Sequence, residues 1–167
     1  AYFKYITTGL PFVIAKFAMS LDGKLATWAG DSQWISGPQA RGFGLRLRRL
    51  VDAVIVGVNT VIRDDPQLTA RQDGKIVKTP LRVIVDGHGR TPASARCFKQ
   101  PGKTLLAMSY SPPLATRKAL ENAGAEMEEL PAREGVVDVQ ELLKALGKRQ
   151  ITSVLVEGGG TVLGSFF

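Results

Sequence analysis

Lys16, Asp64, Arg71 and Glu157 are the side chains whose types and settings could do chemistry in this chain. Lys16 interrupts an apolar run from Phe12 to Met19, where an ammonium is costly unless it reaches solvent or an anion; a place on an edge strand satisfies it equally well. Asp64-Asp65-Pro66 follows a helical-looking stretch from Asn59 to Arg63. Two adjacent carboxylates diverge and no third ligand lies near them, so a metal site is not expected, and a helix-ending turn before proline is the simpler account. Arg71, seven residues past Asp64, can meet either a carboxylate or a phosphate. Glu157 precedes Gly158, Gly159, Gly160 and Thr161, directly after the apolar run Ile151 to Val156. Glycines between a strand and a helix starting near Thr161 let backbone approach a ligand, and free N–H groups there favour phosphate. A tight turn explains the same glycines. The run is not GxGxxG, so a Rossmann dinucleotide site is not supported. Trp34, in a polar loop, suits a lid, a stacking surface or the core. His88 reads as a turn residue, and no serine or cysteine nucleophile with a base partner is found.

The elements that must position these residues follow from hydrophobic patterning. Five near-continuous apolar runs, Phe12 to Met19, Ala53 to Val58, Leu81 to Val85, Thr104 to Met108 and Ser153 to Val156, suit strands buried on both faces. Helix signals lie between them. Pro38 to Leu50 opens with Ser36 as cap and proline in the first turn. Thr116 to Ala123 ends at Gly124, and Asp138 caps Val139 to Leu146, closed by Gly147. The polar stretch Arg71 to Thr79 reads as a surface loop. Strands alternating with helices predict an α/β domain with a mainly parallel central sheet.

Bulk properties exclude several classes. The 167 residues suit one domain with a substantial core, and 44% hydrophobic against 22% charged residues is ordinary globular composition. No apolar run is long enough to span a membrane. With one cysteine, Cys97, and one histidine, His88, neither a disulfide framework nor a Cys/His zinc site is available, which fits a reducing cytoplasm. The net charge of +7 attracts anions, either nucleic acid or phosphorylated small molecules. Arg41, Arg46, Arg48 and Arg49 crowd one segment, but the aromatic-interleaved stripe of single-strand binders is missing. The chain opens at Ala1, so an upstream piece is expected.

Taken together, Phe12-Val-Ile-Ala-Lys16-Phe-Ala-Met-Ser-Leu-Asp-Gly-Lys24, Gly30-Asp-Ser-Gln-Trp-Ile-Ser36, Asp64-Asp-Pro-Gln-Leu-Thr-Ala-Arg71 and Val156-Glu-Gly-Gly-Gly-Thr161 form an ordered series over nearly the whole chain. That series resembles the reductase domain of the bifunctional riboflavin-biosynthesis deaminase/reductase, a relative of dihydrofolate reductase. The resemblance implies a dihydrofolate-reductase-like three-layer α/β domain at residues 12–167. Residues 1–11 would be the linker that follows a deaminase domain. It implies NADPH-dependent reduction of the ribosyl C1′ of 5-amino-6-(5-phosphoribosylamino)uracil to the ribityl form, in a cytoplasmic homo-oligomer with no nucleic-acid or membrane partner.

Roles carry over by position. Lys16, Asp64 and Glu157 match the catalytic positions. Ser32, Arg48, Leu68 and Arg71 match substrate contacts, the two arginines as a phosphate clamp. Ala18, Trp34, Thr60, Asp64, Gly87, Gly159, Gly160, Thr161, Val162, Leu163 and Gly164 match the cofactor side, although relatives often carry serine at Gly87. Lys16 beside two carboxylates would titrate as a coupled group. Family members usually continue for several strands past the Gly-rich turn, so the domain is expected to be truncated at Phe167. Rival expectations are a reductase of the 2,5-diamino pyrimidinone acting before deamination, a dihydrofolate reductase proper, and a basic nucleic-acid-binding module. The pair Arg48 and Arg71, suited to phosphate, argues against the folate enzyme.

Overall fold

The computed structural model describes residues 1–133 and 136–167. Its elements are α1 (Tyr2–Thr8), β1 (Phe12–Lys16), α2 (Pro38–Leu50), β2 (Ala53–Gly57), α3 (Val58–Asp64), β3 (Ala70–Gln72), β4 (Lys75–Lys78) and β5 (Leu81–Val85). There follow β6 (Thr104–Met108), α4 (Leu114–Asn122), β7 (Ala125–Glu129), β8 (Ala132–Arg133), β9 (Val136–Val137), α5 (Val139–Lys148), β10 (Ser153–Glu157) and α6 (Gly160–Gly164). Six strands form one sheet in the order β1-β10-β2-β5-β6-β7, every neighbouring pair parallel.

The near-continuous apolar strands bury both faces, as their composition requires. Ala53, Ile55, Val83, Leu105, Val154 and Val156 project to one side, where Leu142 and Leu146 of α5 and Val162 of α6 cover them. The alternate residues Val54, Val56, Ile84, Leu106 and Leu155 meet Val61 of α3, Leu120 of α4 and Leu47 of α2. Two helical layers around one sheet give the three-layer α/β domain. Asp52 pins β10 to β2: its Oδ2 accepts from Thr152 N and Oγ1, at 2.9 and 2.7 Å, and from Ser153 N and Oγ, at 3.1 and 3.0 Å.

Several expectations need correction. The first strand stops at Lys16, not Met19. Arg71 to Thr79 is no plain loop: β3 and β4 form an antiparallel hairpin, turned by Asp73 and Gly74, both with positive φ. β7 is a strand without an apolar-run signal, because Ala125-Glu-Met-Glu-Glu reads as polar; it closes one sheet edge, where only one side needs to be apolar. Residues 1–11 hold a helix, α1, which docks through Tyr5 Oη to the Gly147 carbonyl at 3.1 Å. Gly147 itself lies inside α5, which runs on to Lys148. Asp138 does cap α5, accepting from the N–H groups of Gln140 and Glu141. Ser36 caps nothing; Gly37 takes the N-cap position of α2, with Pro38 in the first turn. Among the described residues no helix is long and apolar enough to cross a membrane.

Candidate active site

β10 returns from beyond β7 to lie between β1 and β2, and this reversal of strand order opens a crevice at the carboxyl ends of the strands. Ligands of open α/β sheets bind at such points. Lys16 ends β1 and Glu157 ends β10, and they are paired in register. Each stands two residues beyond a neighbour on the α2 side of the sheet, Ile14 and Leu155, so both project to that side.

Helix α2 comes close over them. Gly44 is buried, and a Cβ on it would stand 3.2 Å from Lys16 Cε, so the absence of a side chain sets how near the helix can approach. One turn further on, Arg48 reaches Glu157 with a two-pronged ion pair, Nε to Oε1 at 2.7 Å and Nη2 to Oε2 at 2.8 Å. Both side chains are mostly buried, at 15% and 12% exposure, where a bidentate pair is strongest and least screened.

Glu157 pairs with Arg48, and neither Lys16 nor Asp64 has an ion-pair partner among the described residues. Lys16, Asp64 and Glu157 nevertheless line one cavity of about 260 Å³ together with Ser32, Leu68 and Trp34. Lys16 is thus both an edge-strand lysine and a cleft residue. Asp64 closes α3. Asp65 turns away with φ 41° and accepts from Arg96 N at 2.7 Å, so it serves as the helix-ending turn. Trp34 is 68% exposed, with the Arg41 guanidinium 4.3 Å from its ring centroid, so it lies over the cavity mouth rather than in the core.

Arg48 and Arg71 come to the two sides of Thr69. Arg48 Nη1 donates to its carbonyl at 3.3 Å and Arg71 Nε to its Oγ1 at 3.2 Å. Arg71 also donates to the Gly74 carbonyl at 2.8 Å and Gln100 Oε1 at 3.2 Å. Neither arginine lines the cavity, so the clamp drawn from sequence has its cations together but already engaged.

A second cavity, of about 450 Å³, adjoins the first at Thr60 and Gly159. Gly87, Gly160, Thr161 and Val162 line it, while Ala18 and Leu163 line the first; Gly164 lines neither. Gly158 and Gly159 have φ of 68° and 78°, which L side chains rarely adopt, so the turn itself requires glycine at both positions. A Cβ on Gly57 would meet Val162 Cγ2 at 2.7 Å, so α6 seats directly on the end of β2. Arg63, Arg90, Asn59 and His88 complete the wall. Bare backbone, two guanidinium groups and no described carboxylate in the lining fit a phosphorylated dinucleotide. Among these, Gly44, Thr69, Arg41, Arg63 and Arg90 went unassigned in the sequence. Only the arginine crowding around Arg41 to Arg49 hinted at any of them.

The sheet order and the cleft at its switch point are those of a dihydrofolate-reductase-like α/β domain. Within that class the family is defined: the RibD C-terminal domain model matches residues 11–167, and the chain belongs to that family. The riboflavin biosynthesis protein RibD of Actinobacillus pleuropneumoniae is 37% identical over 163 residues, covering 96% of this chain and 43% of that protein. RibD of Acinetobacter baumannii superposes with a TM-score of 0.82 at 33% identity, over 99% of this chain and 44% of that one. A Thermotoga maritima diaminohydroxyphosphoribosylaminopyrimidine deaminase/5-amino-6-(5-phosphoribosylamino)uracil reductase gives 0.75 at 33% identity, again over 99% and 44%. The chain thus spans less than half the length of these relatives.

Proposed function

We propose that this chain catalyses the NADPH-dependent reduction of 5-amino-6-(5-phosphoribosylamino)uracil to 5-amino-6-(5-phosphoribitylamino)uracil. The observation that carries the reading is the meeting of Lys16, Asp64 and Glu157 on one cleft that continues into the glycine-lined cleft at Thr60 and Gly159. The reaction in the name of the Thermotoga relative supports the choice of substrate.

Gly159, Gly160, Thr161, Val162 and Gly87 would hold the dinucleotide, with Thr60 and Trp34 between it and the substrate. When bound, the reduced nicotinamide supplies the hydride that goes to C1′ of the ring-opened substrate. Opening the ribose ring moves a proton, and Lys16 and Asp64, which carry no partner among the described residues, are the groups able to move it. Both carboxylate oxygens of Glu157 already accept from Arg48, so Glu157 orients the substrate through its remaining lone pairs. Ser32 and Leu68 shape the pyrimidine side, and Arg48 and Arg71 answer the phosphate through exchange of their present Thr69 contacts. Hydride transfer depends on such positioning more than on acid strength.

The longer protein would carry a deaminase domain upstream, act in the cytoplasm and assemble as a homo-oligomer. The test is NADPH oxidation with the deaminated uracil and the 2,5-diamino pyrimidinone offered separately. Turnover of the uracil is expected; turnover of the diamino compound alone would make this a reductase that acts before deamination.

A further inference from the structure

The turn from Arg96 to Gly102, which leads into β6, grips the segment Asp64 to Arg71 near both of its ends. At one end Arg96 N donates to Asp65 Oδ1 at 2.7 Å, beside Asp64 of the cleft. At the other, Gln100 Oε1 accepts from Arg71 Nη2 at 3.2 Å. Gln100 is itself held in place. Its Nε2 donates to the Arg96 carbonyl at 3.4 Å, and its own carbonyl accepts from Arg82 Nη2, also at 3.4 Å. Arg82, in β5, is fully buried. Its guanidinium also donates to the Pro101 and Gly102 carbonyls and to Thr104 Oγ1, at 2.8, 2.7 and 2.8 Å. The turn is thereby fastened to the sheet before any ligand arrives.

Arg48 and Arg71 differ in charge balance. Arg48 is neutralised by Glu157, whereas every described acceptor on Arg71 is uncharged: Thr69 Oγ1, the Gly74 carbonyl and Gln100 Oε1. These occupy one hydrogen on each nitrogen, and the guanidinium has N–H groups to spare for an anion. We propose that Gln100 is a positioning residue for recognition of the substrate phosphate: it fixes the plane of the Arg71 guanidinium through a neutral hydrogen bond and leaves its positive charge unspent. The inference rests on the reductase reading above and on the phosphate role of Arg71 within it. When Nε exchanges Thr69 for the phosphate, Gly74 and Gln100 still hold the two Nη atoms. A carboxylate in place of the Gln100 amide would hold Arg71 as firmly but cancel its charge, and this separates a positioning role from a packing role.

The test is steady-state reduction of the phosphoribosylamino-uracil and of its dephosphorylated form by the full chain, by Gln100→Ala, Gln100→Glu and Arg71→Ala, and by Gln100→Ala combined with Arg71→Ala. Gln100→Ala should raise KM for the phosphorylated substrate about fivefold or more, with kcat, KM for NADPH and use of the dephosphorylated form within about twofold. Gln100→Glu should raise that KM at least as much, although its ion pair with Arg71 keeps or raises the unfolding midpoint, which serves as the folding control. In the Arg71→Ala background, adding Gln100→Ala should change no constant by more than about twofold, because both act at one point. A wild-type KM in Gln100→Ala or in Gln100→Glu, equal losses on both substrates, or a further loss in the double variant would overturn the assignment while leaving the reductase reading intact. Equal use of the two substrates by the unchanged chain would remove the phosphate role of Arg71 and the assignment with it, again leaving the reductase reading intact. No turnover of either substrate would overturn the reductase reading itself, and the assignment with it.

Discussion

Glu157 and Arg48, 109 positions apart in the chain, meet in a bidentate ion pair that joins the end of β10 to helix α2. The pair fixes the wall of the cleft in which Lys16 and Asp64 stand, and it links the substrate side of the domain to its fold.

Removing one partner leaves a largely buried charge uncompensated. Arg48→Ala should lower stability by about 3 kcal/mol, measured by urea unfolding, whereas replacing both residues by methionine should recover most of the loss. A single variant within about 0.5 kcal/mol of the unchanged protein would mean that the pair is solvated rather than structural.

Gly147 gives a case in which helix propensity points the wrong way. Alanine in a helix interior is normally better than glycine by about 1 kcal/mol. In α5 the added Cβ would strike the backbone carbonyl of Gly9. Gly147→Ala should therefore destabilise by about 2 kcal/mol and loosen α1, read as faster proteolytic cleavage near Leu10. A gain in stability would show that α1 does not pack here in solution.

Asp52 makes stability depend on pH. Burial by itself raises its pKa, but hydrogen bonds from Thr152 and Ser153 and the charge of Lys78 outweigh that, holding the carboxyl below its usual value. A depressed folded-state pKa stabilises above the unfolded value, near 3.9, and the contribution is lost as pH falls through the folded value. Asp52→Asn should cost about 1–2 kcal/mol at about pH 6, and the gap to the unchanged protein should narrow at about pH 3. A gap of constant size would show that charge is irrelevant at this position.

The two-sided burial that shapes β2, β5, β6 and β10 left a signal of unbroken apolar runs, so the centre of the sheet was legible from sequence. The elements that were not legible are those that bury one side or very little. β7 carries Glu126, Glu128 and Glu129, two of which answer Lys103 and Arg149 at the surface. The β3–β4 hairpin buries little beyond Ala70, and α1 is a single short helix with no buried residue. In the site, Lys16 betrayed itself by interrupting a strand and Gly158 to Gly160 by their density. The partnership of Arg48 with Glu157 left no trace, because nothing local distinguishes an arginine that will cross to another element. Gln100 was hidden for the same reason: its place depends on the hydrogen bonds of Arg82, not on a motif.

The central claim is that the cleft shared by Lys16, Asp64 and Glu157 is where reduction occurs. The most direct test is NADPH oxidation with the phosphoribosylamino-uracil by the unchanged protein, Lys16→Ala and Asp64→Asn, each shown by thermal unfolding to be folded. The account predicts turnover by the unchanged protein and a fall of about a hundredfold or more in kcat for each variant, the range expected when a positioned proton-transfer group is lost. Wild-type rates in both folded variants would contradict it.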